Sequence, residues 1–178
     1  MTGTLYGLGV GPGDPDLITL KALRILKSAP VLAYPAPEVG DSLARKIVSP
    51  HLPGTQTEIV IRMPLSAPKF PDDEIYGGAA ASLKEHLAQG RDIAVLCEGD
   101  PFFYGSFMYL FSRMAADYKV EVVPGVSSPM ACAAVLGAPL AAQNDVLTIL
   151  PGPLDTDALR LRLEVTDAAV IIKLGRHF

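Results

Sequence analysis

Short apolar runs alternate with segments of helical period along the whole chain. Thr4 to Val10, Pro30 to Tyr34, Thr57 to Ile61, Ile93 to Leu96 and Val120 to Val123 are brief, rich in branched residues and bounded by Gly, Pro or polar clusters. That grammar predicts strands. Between them lie helix candidates. Thr19 can cap one that runs to about Ser28, with Leu20, Leu23 and Leu26 on one face and a solvated basic face of Lys21, Arg24 and Lys27. Asp41 to Val48 is a short helix closed by Pro50, and a longer one starts at Asp72 or Asp73, passes through Ala80, Leu83 and Leu87, and stops at Gly90. Ser106 to Ala116 is another. Met130 to Leu136 follows a Ser128-Pro129 start, with small residues that permit close approach of an element or ligand. Strand, helix, strand at these lengths predicts right-handed parallel crossovers, hence an α/β fold with a mostly parallel sheet and flanking helices.

The register restarts beyond Gly137. Asp145 to Leu150 reads as a strand, Asp155 to Glu164 as a helix with Leu159 and Leu163 on one face, and Ala168 to Leu174 as a strand. The division expected is an N-terminal α/β domain over 1–122 and the start of a second α/β domain over 123–178. Val170 to Leu174 is apolar on both faces and calls for neighbours on both sides, so the second domain is expected to be incomplete. Arg62 to Asp73, with Pro64, Pro68 and Pro71, reads as a long loop: a lid, a substrate wall, or a plain surface excursion.

Composition removes several function classes. Hydrophobic residues make up 49% and charged residues 19%, the balance of a globular core rather than a disordered tail. A formal net charge of -4, with no basic stripe, gives nucleic-acid binding little support. No apolar run reaches the roughly 20 residues that span a bilayer, and the N-terminus lacks the charged and apolar regions of a signal peptide. Cys97 and Cys132 have no metal-ligand spacing and read as two buried, reduced thiols of a cytoplasmic protein. His51, His86 and His177 are scattered and form no ligand set.

The chemistry concentrates where strands give way to helices. Leu96-Cys97-Glu98-Gly99-Asp100-Pro101-Phe102-Phe103-Tyr104-Gly105-Ser106 ends one strand and opens a helix, the position at which open α/β sheets hold ligands. Gly99 admits a ligand close to the backbone, and the flanking Glu98 and Asp100 favour a cation or accept hydrogen bonds from hydroxyls and amines. A tight turn with two solvated acids fits the same residues. The turn lacks the Lys, Arg and bare amides of a phosphate cradle. Gly7 to Asp14 does not match the dinucleotide fingerprint, because Pro12 or Asp14 stands where its third glycine belongs, and no Gly-Lys pair exists for a Walker A loop.

Three stretches then stand together, each at a strand-to-helix junction: Gly9-Val10-Gly11-Pro12-Gly13-Asp14-Pro15-Asp16-Leu17-Ile18-Thr19, the Glu98 to Gly105 turn, and Val123-Pro124-Gly125-Val126-Ser127-Ser128. In this order they resemble the tetrapyrrole methylase family, the class III S-adenosylmethionine-dependent methyltransferases, over the whole chain. The Glu98-Gly99-Asp100-Pro101 form of the turn and the terminal Lys173-Leu174-Gly175-Arg176-His177 are similar to the subgroup acting on precorrin-2 at C(20). The resemblance implies a two-domain fold, a homodimer and a cofactor, S-adenosyl-L-methionine, held between the domains. It implies cofactor contacts at Pro12, Glu98, Gly99, Asp100, Phe103, Ser127, Ser128 and Lys173. The small-molecule substrate would be a tetrapyrrole with carboxylates at its rim, for which Arg45, Arg62 and Lys69 are available cations. A base for the proton that leaves the methylated carbon has three candidates, Glu98, Asp100 and Tyr104. The alternatives are a cobalt-containing or other tetrapyrrole as substrate, or a non-catalytic binding module.

Overall fold

A computed structural model describes residues 2–63 and 73–175. Seven strands and six α-helices alternate among them: β1 (Leu5–Gly9), α1 (Leu20–Ser28), β2 (Val31–Pro37), α2 (Leu43–Val48), β3 (Thr57–Met63), α3 (Asp73–Ala88), β4 (Ile93–Cys97), α4 (Phe107–Met114), β5 (Val120–Val123), α5 (Ser128–Leu136), β6 (Leu147–Pro151), α6 (Thr156–Leu163) and β7 (Ala168–Ile172). The chain divides into two compact units, Met1–Ser128 and Pro129–Phe178.

The first unit is an α/β sandwich. Its sheet runs β3-β2-β4-β1-β5, every pairing parallel, so β1 and β4 lie in the interior. All five residues of β4 are buried, as expected of a strand covered on both faces. One face packs Tyr76, Ala80, Leu83 and Leu87 of α3 and Phe107, Leu110 and Met114 of α4; the other packs Ala22 and Leu26 of α1 and Ala44, Ile47 and Val48 of α2. Thr19 caps α1, its Oγ1 accepting from the Ala22 amide at 3.2 Å. Leu20 departs from the expected apolar stripe. It is 75% exposed, and Ala22 and Leu26 carry the burial. In the basic face, Lys21 is paired with Glu121 on β5 at 2.6 Å.

β2 runs three residues beyond the expected Tyr34, through two prolines. Its pairing with β4 ends at Ala33–Val95 while its pairing with β3 continues to Pro37–Met63. The freed carbonyls find side chains instead: Pro35 O accepts from the Ser42 hydroxyl at 2.6 Å and Pro37 O from the Arg62 guanidinium at 2.9 Å. A proline is tolerated where no neighbouring strand asks for its amide. The expected loop from Arg62 to Asp73 falls mostly outside the described residues, as do Lys69, Arg176 and His177.

The second unit holds a two-stranded parallel sheet, β6-β7, with α6 following β6. Asp155 caps α6 by accepting from the Ala158 amide at 2.8 Å. No residue of α6 is buried, and alternate residues of β7 are exposed. Cys132, on α5, is exposed, contrary to the expectation of two buried thiols; α5 buries only Pro129, so its small residues leave the thiol uncovered. Cys97 is buried in the first unit. None of the helices among the described residues is long and apolar enough to cross a membrane.

Candidate functional site

The carboxyl ends of β1, β4 and β5 lie side by side, so the three loops that leave them begin within reach of one another. The parallel ladder does not stop at the strand ends. Val10 N donates to Cys97 O at 2.9 Å, and Gly11 and Gly99 then form an isolated antiparallel bridge in which Gly99 N donates to Gly11 O at 2.8 Å. Gly99 has φ 64°, a left-handed conformation natural to glycine, which reverses the chain so that it can face Gly11.

The third loop locks onto the other two by backbone proximity. A Cβ on Gly9 would stand 2.5 Å from Gly125 N and 2.7 Å from Gly99 O, and one on Gly125 would collide with the Gly99 carbonyl oxygen. Three backbones share a space that admits no side chain. Gly99 also lies against the third loop, since its Cβ position is 3.7 Å from Ser127 Cα.

Asp100 fastens this arrangement. Its Oδ1 accepts from the amides of Phe102 at 2.9 Å and Phe103 at 3.0 Å, and its Oδ2 accepts from the Gly125 amide, 25 residues away, at 3.0 Å. Both oxygens are thus engaged with backbone. Hydrogen bonds to a charged acceptor are about 1.5–3 kcal/mol each, enough to make this carboxylate a strong tie between the second and third loops. Sequence reasoning places Asp100 at the ligand and misses the tie, because Gly125 is remote in the chain and an amide leaves no signature in a sequence.

The remaining candidates are distributed around this core. Glu98 is exposed, Pro12, Phe103 and Ser127 are half-buried, and Ser128 is exposed at the first turn of α5. Tyr104 is 39% exposed and has φ 54°, a left-handed conformation that costs a non-glycine residue roughly 1–2 kcal/mol. Its ring meets Phe103 edge-on at 5.2 Å. Lys173 belongs to the second unit, exposed just beyond β7 with φ 54°. Burial pushes the Cys97 thiol well up, reinforced by the charges of Asp100 and Glu98, so this cysteine is held as an inert thiol. His51 contacts the Pro15 carbonyl at 3.1 Å. No cluster of three His, Cys, Asp or Glu residues suited to a metal occurs among the described residues.

An acid-bearing, glycine-lined notch at the carboxyl edge of a parallel sheet defines a class of α/β proteins that bind small molecules between strand ends. The family follows from comparison: residues 4–178 match the model of the tetrapyrrole (corrin/porphyrin) methylases, and the chain belongs to that family. It is 42% identical to the cobalamin biosynthesis protein CobIJ of Mycobacterium tuberculosis over 99% of this chain, and spans only 36% of that relative's length. It is 41% identical to a precorrin-2 C(20)-methyltransferase from a Sinorhizobium species, over 98% of this chain and 75% of that protein. Among solved structures, the uroporphyrin-III C-methyl transferase of Thermus thermophilus complexed with S-adenyl homocysteine superposes with a TM-score of 0.62 at 29% identity, covering 85% of this chain and 60% of that one.

Proposed function

We propose that this chain is the methyl-transferring part of a tetrapyrrole methylase, and that its reaction is the S-adenosylmethionine-dependent methylation of precorrin-2 at C(20). The observation that carries the reading is the joining of three junction loops into one notch by the Gly11–Gly99 bridge, the Gly9–Gly125 approach and the Asp100 tie. The matching family model and the names of the relatives support the reaction class and the substrate.

S-adenosylmethionine, when bound, supplies a methyl group already activated by a positive sulfur. The donors and acceptors of the notch suit such a ligand. Glu98 puts an exposed carboxylate beside it, Gly99 carries no side chain to block approach, and the hydroxyls of Ser127 and Ser128 have no hydrogen-bond partner among the described residues. In this reading Pro12 and Phe103 form walls, and Asp100 acts as a positioning residue that holds the second loop against the third. Lys173 is proposed as a further cofactor contact on its resemblance alone. The chain's main task is alignment, for which holding reactants in a productive geometry contributes up to about 7–11 kcal/mol. The candidates for accepting the proton remain Glu98, Asp100 and Tyr104, and the Asp100 carboxylate already serves three amides. Dimerisation and a cytoplasmic location belong to the same proposal.

Calorimetric titration with S-adenosylhomocysteine, followed by incubation with S-adenosylmethionine and precorrin-2 or uroporphyrinogen III, tests it. The expected result is saturable heat and a mass gain of one methyl on precorrin-2 alone. Absence of heat would favour a binding module that does not use this cofactor.

A further inference from the structure

A cavity of about 390 Å³ opens between α2 and the outer strand β3, lined by Tyr34, Ala36, Asp41, Arg45, Lys46 and Arg62 among others. Three of these side chains are cationic, and they differ in what they are free to do. Arg45 is engaged: its Nε and Nη2 donate to the Glu58 carboxylate at 3.1 and 2.9 Å, and Tyr34 donates to the same carboxylate at 2.5 Å. Arg62 is held in place by neutral partners, its Nη1 donating to Pro37 O at 2.9 Å and Gly40 O at 3.0 Å, and it has no ion pair among the described residues. Lys46 is exposed, and its ammonium has no hydrogen bond or ion pair among the described residues. Asp41 is the acid in the lining, and it leaves the free charge positive.

The cavity lies at the same carboxyl edge as the notch. Arg62 pairs with Ala36 near the carboxyl ends of β3 and β2, and Glu98 follows the carboxyl end of β4 in the same parallel sheet. β3 and β4 stand two places apart in the sheet, one on each side of β2, so the cavity and the notch share one edge of the first unit. A tetrapyrrole carries its carboxylates on flexible arms around the ring, so a ring offered to the notch extends toward this cavity.

The geometry points to the α2–β3 cavity as the anchor for a rim carboxylate of the tetrapyrrole, gripped by Lys46 and Arg62, while Arg45 builds the wall. This inference rests on the tetrapyrrole methylase reading and adds the side chains that select a polycarboxylate. An arginine held by carbonyls offers its remaining edge as a fork to a carboxylate, and a lysine adds a point charge.

The probe is uroporphyrin I, a stable octacarboxylate porphyrin, titrated by fluorescence against the full chain, with S-adenosylhomocysteine titrated separately. Lys46→Gln is the principal variant because the ammonium has no partner among the described residues; Lys46→Gln with Arg62→Gln is the second, and Lys46→Arg the charge-keeping control. Wild type and Lys46→Arg are expected to bind uroporphyrin alike, Lys46→Gln about tenfold more weakly, and the double variant more weakly still. S-adenosylhomocysteine affinity should not change. Equal uroporphyrin binding by wild type and the double variant overturns the inference, and so does failure of wild type to bind it. Parallel loss of both ligands in Lys46→Gln also overturns it, since that is a general effect on the fold. The methylase reading fails separately, on absence of S-adenosylhomocysteine binding by wild type.

Discussion

Leu96 in β4 and Ile171 in β7 are both apolar residues in apolar strands of parallel sheets, yet Leu96 is fully buried and Ile171 is 40% exposed. Leu96 is paired with Leu8 of β1, its strand also pairs with β2 as far as Val95, and helices pack on both faces of the sheet. β7 has one strand neighbour among the described residues, and the helix that precedes it, α6, buries nothing. The burial of a strand is therefore set by what surrounds it and not by its own composition. The notch belongs to the better-buried side of that contrast, because its three loops leave strands of the first unit.

That contrast can be broken most forcefully in the core. Leu96→Ala should destabilise the first unit by about 2–5 kcal/mol, against less than about 1 kcal/mol for Ile171→Ala; denaturant unfolding followed by hydrogen exchange would read both, and equal losses would remove the distinction. Next comes Gly125→Ala, which forces a methyl group into the Gly99 carbonyl. A loss of roughly 1–3 kcal/mol is expected, with S-adenosylhomocysteine affinity falling well beyond what the lost stability explains. Asp100→Asn keeps the shape of the tie but loses its charge and one acceptor. A cost of about 1–2 kcal/mol is expected, and a crystal structure showing the third loop displaced from the second would confirm the role.

The smallest effect belongs to Glu58. The Arg45 and Tyr34 hydrogen bonds hold its carboxyl below the usual carboxylate range. A depressed acid stabilises the fold above its unfolded value, about pH 4, and this contribution disappears as pH falls through the folded value. Glu58 is a third exposed, so solvent screening limits the effect to about 0.5–1 kcal/mol. Glu58→Gln should lose that much at pH 7 and progressively less as the pH falls through the folded value in chemical denaturation, with Tyr34 returning toward its ordinary titration from the raised position that burial and Glu58 impose.

The elements themselves were readable because their signals are local. Thr19 marks the start of α1 and Gly90, with φ 76°, follows the end of α3. The strand order was not readable, since strands covered on both faces are apolar throughout and none advertises its neighbour. For the same reason β2 looked as though it should end before its prolines: nothing local says that Ser42 and Arg62 will satisfy the carbonyls. At the site, the three junction loops were visible as motifs, and the structure brings Pro12's loop, Gly99 and Ser127's loop to one place. The tie made by Asp100 was invisible, and so was the contrast between an engaged Arg45 and an available Lys46, because both depend on partners distant in the chain.

The crowding of Gly9, Gly99 and Gly125 restricts how a molecule of this design can diversify. Where main chains touch with no room for a methyl group, substitution has nothing to vary, and the innermost part of the notch is frozen in shape. Any change in what the protein accepts must come from the periphery, where α2 and β3 can exchange one side chain for another without disturbing the centre.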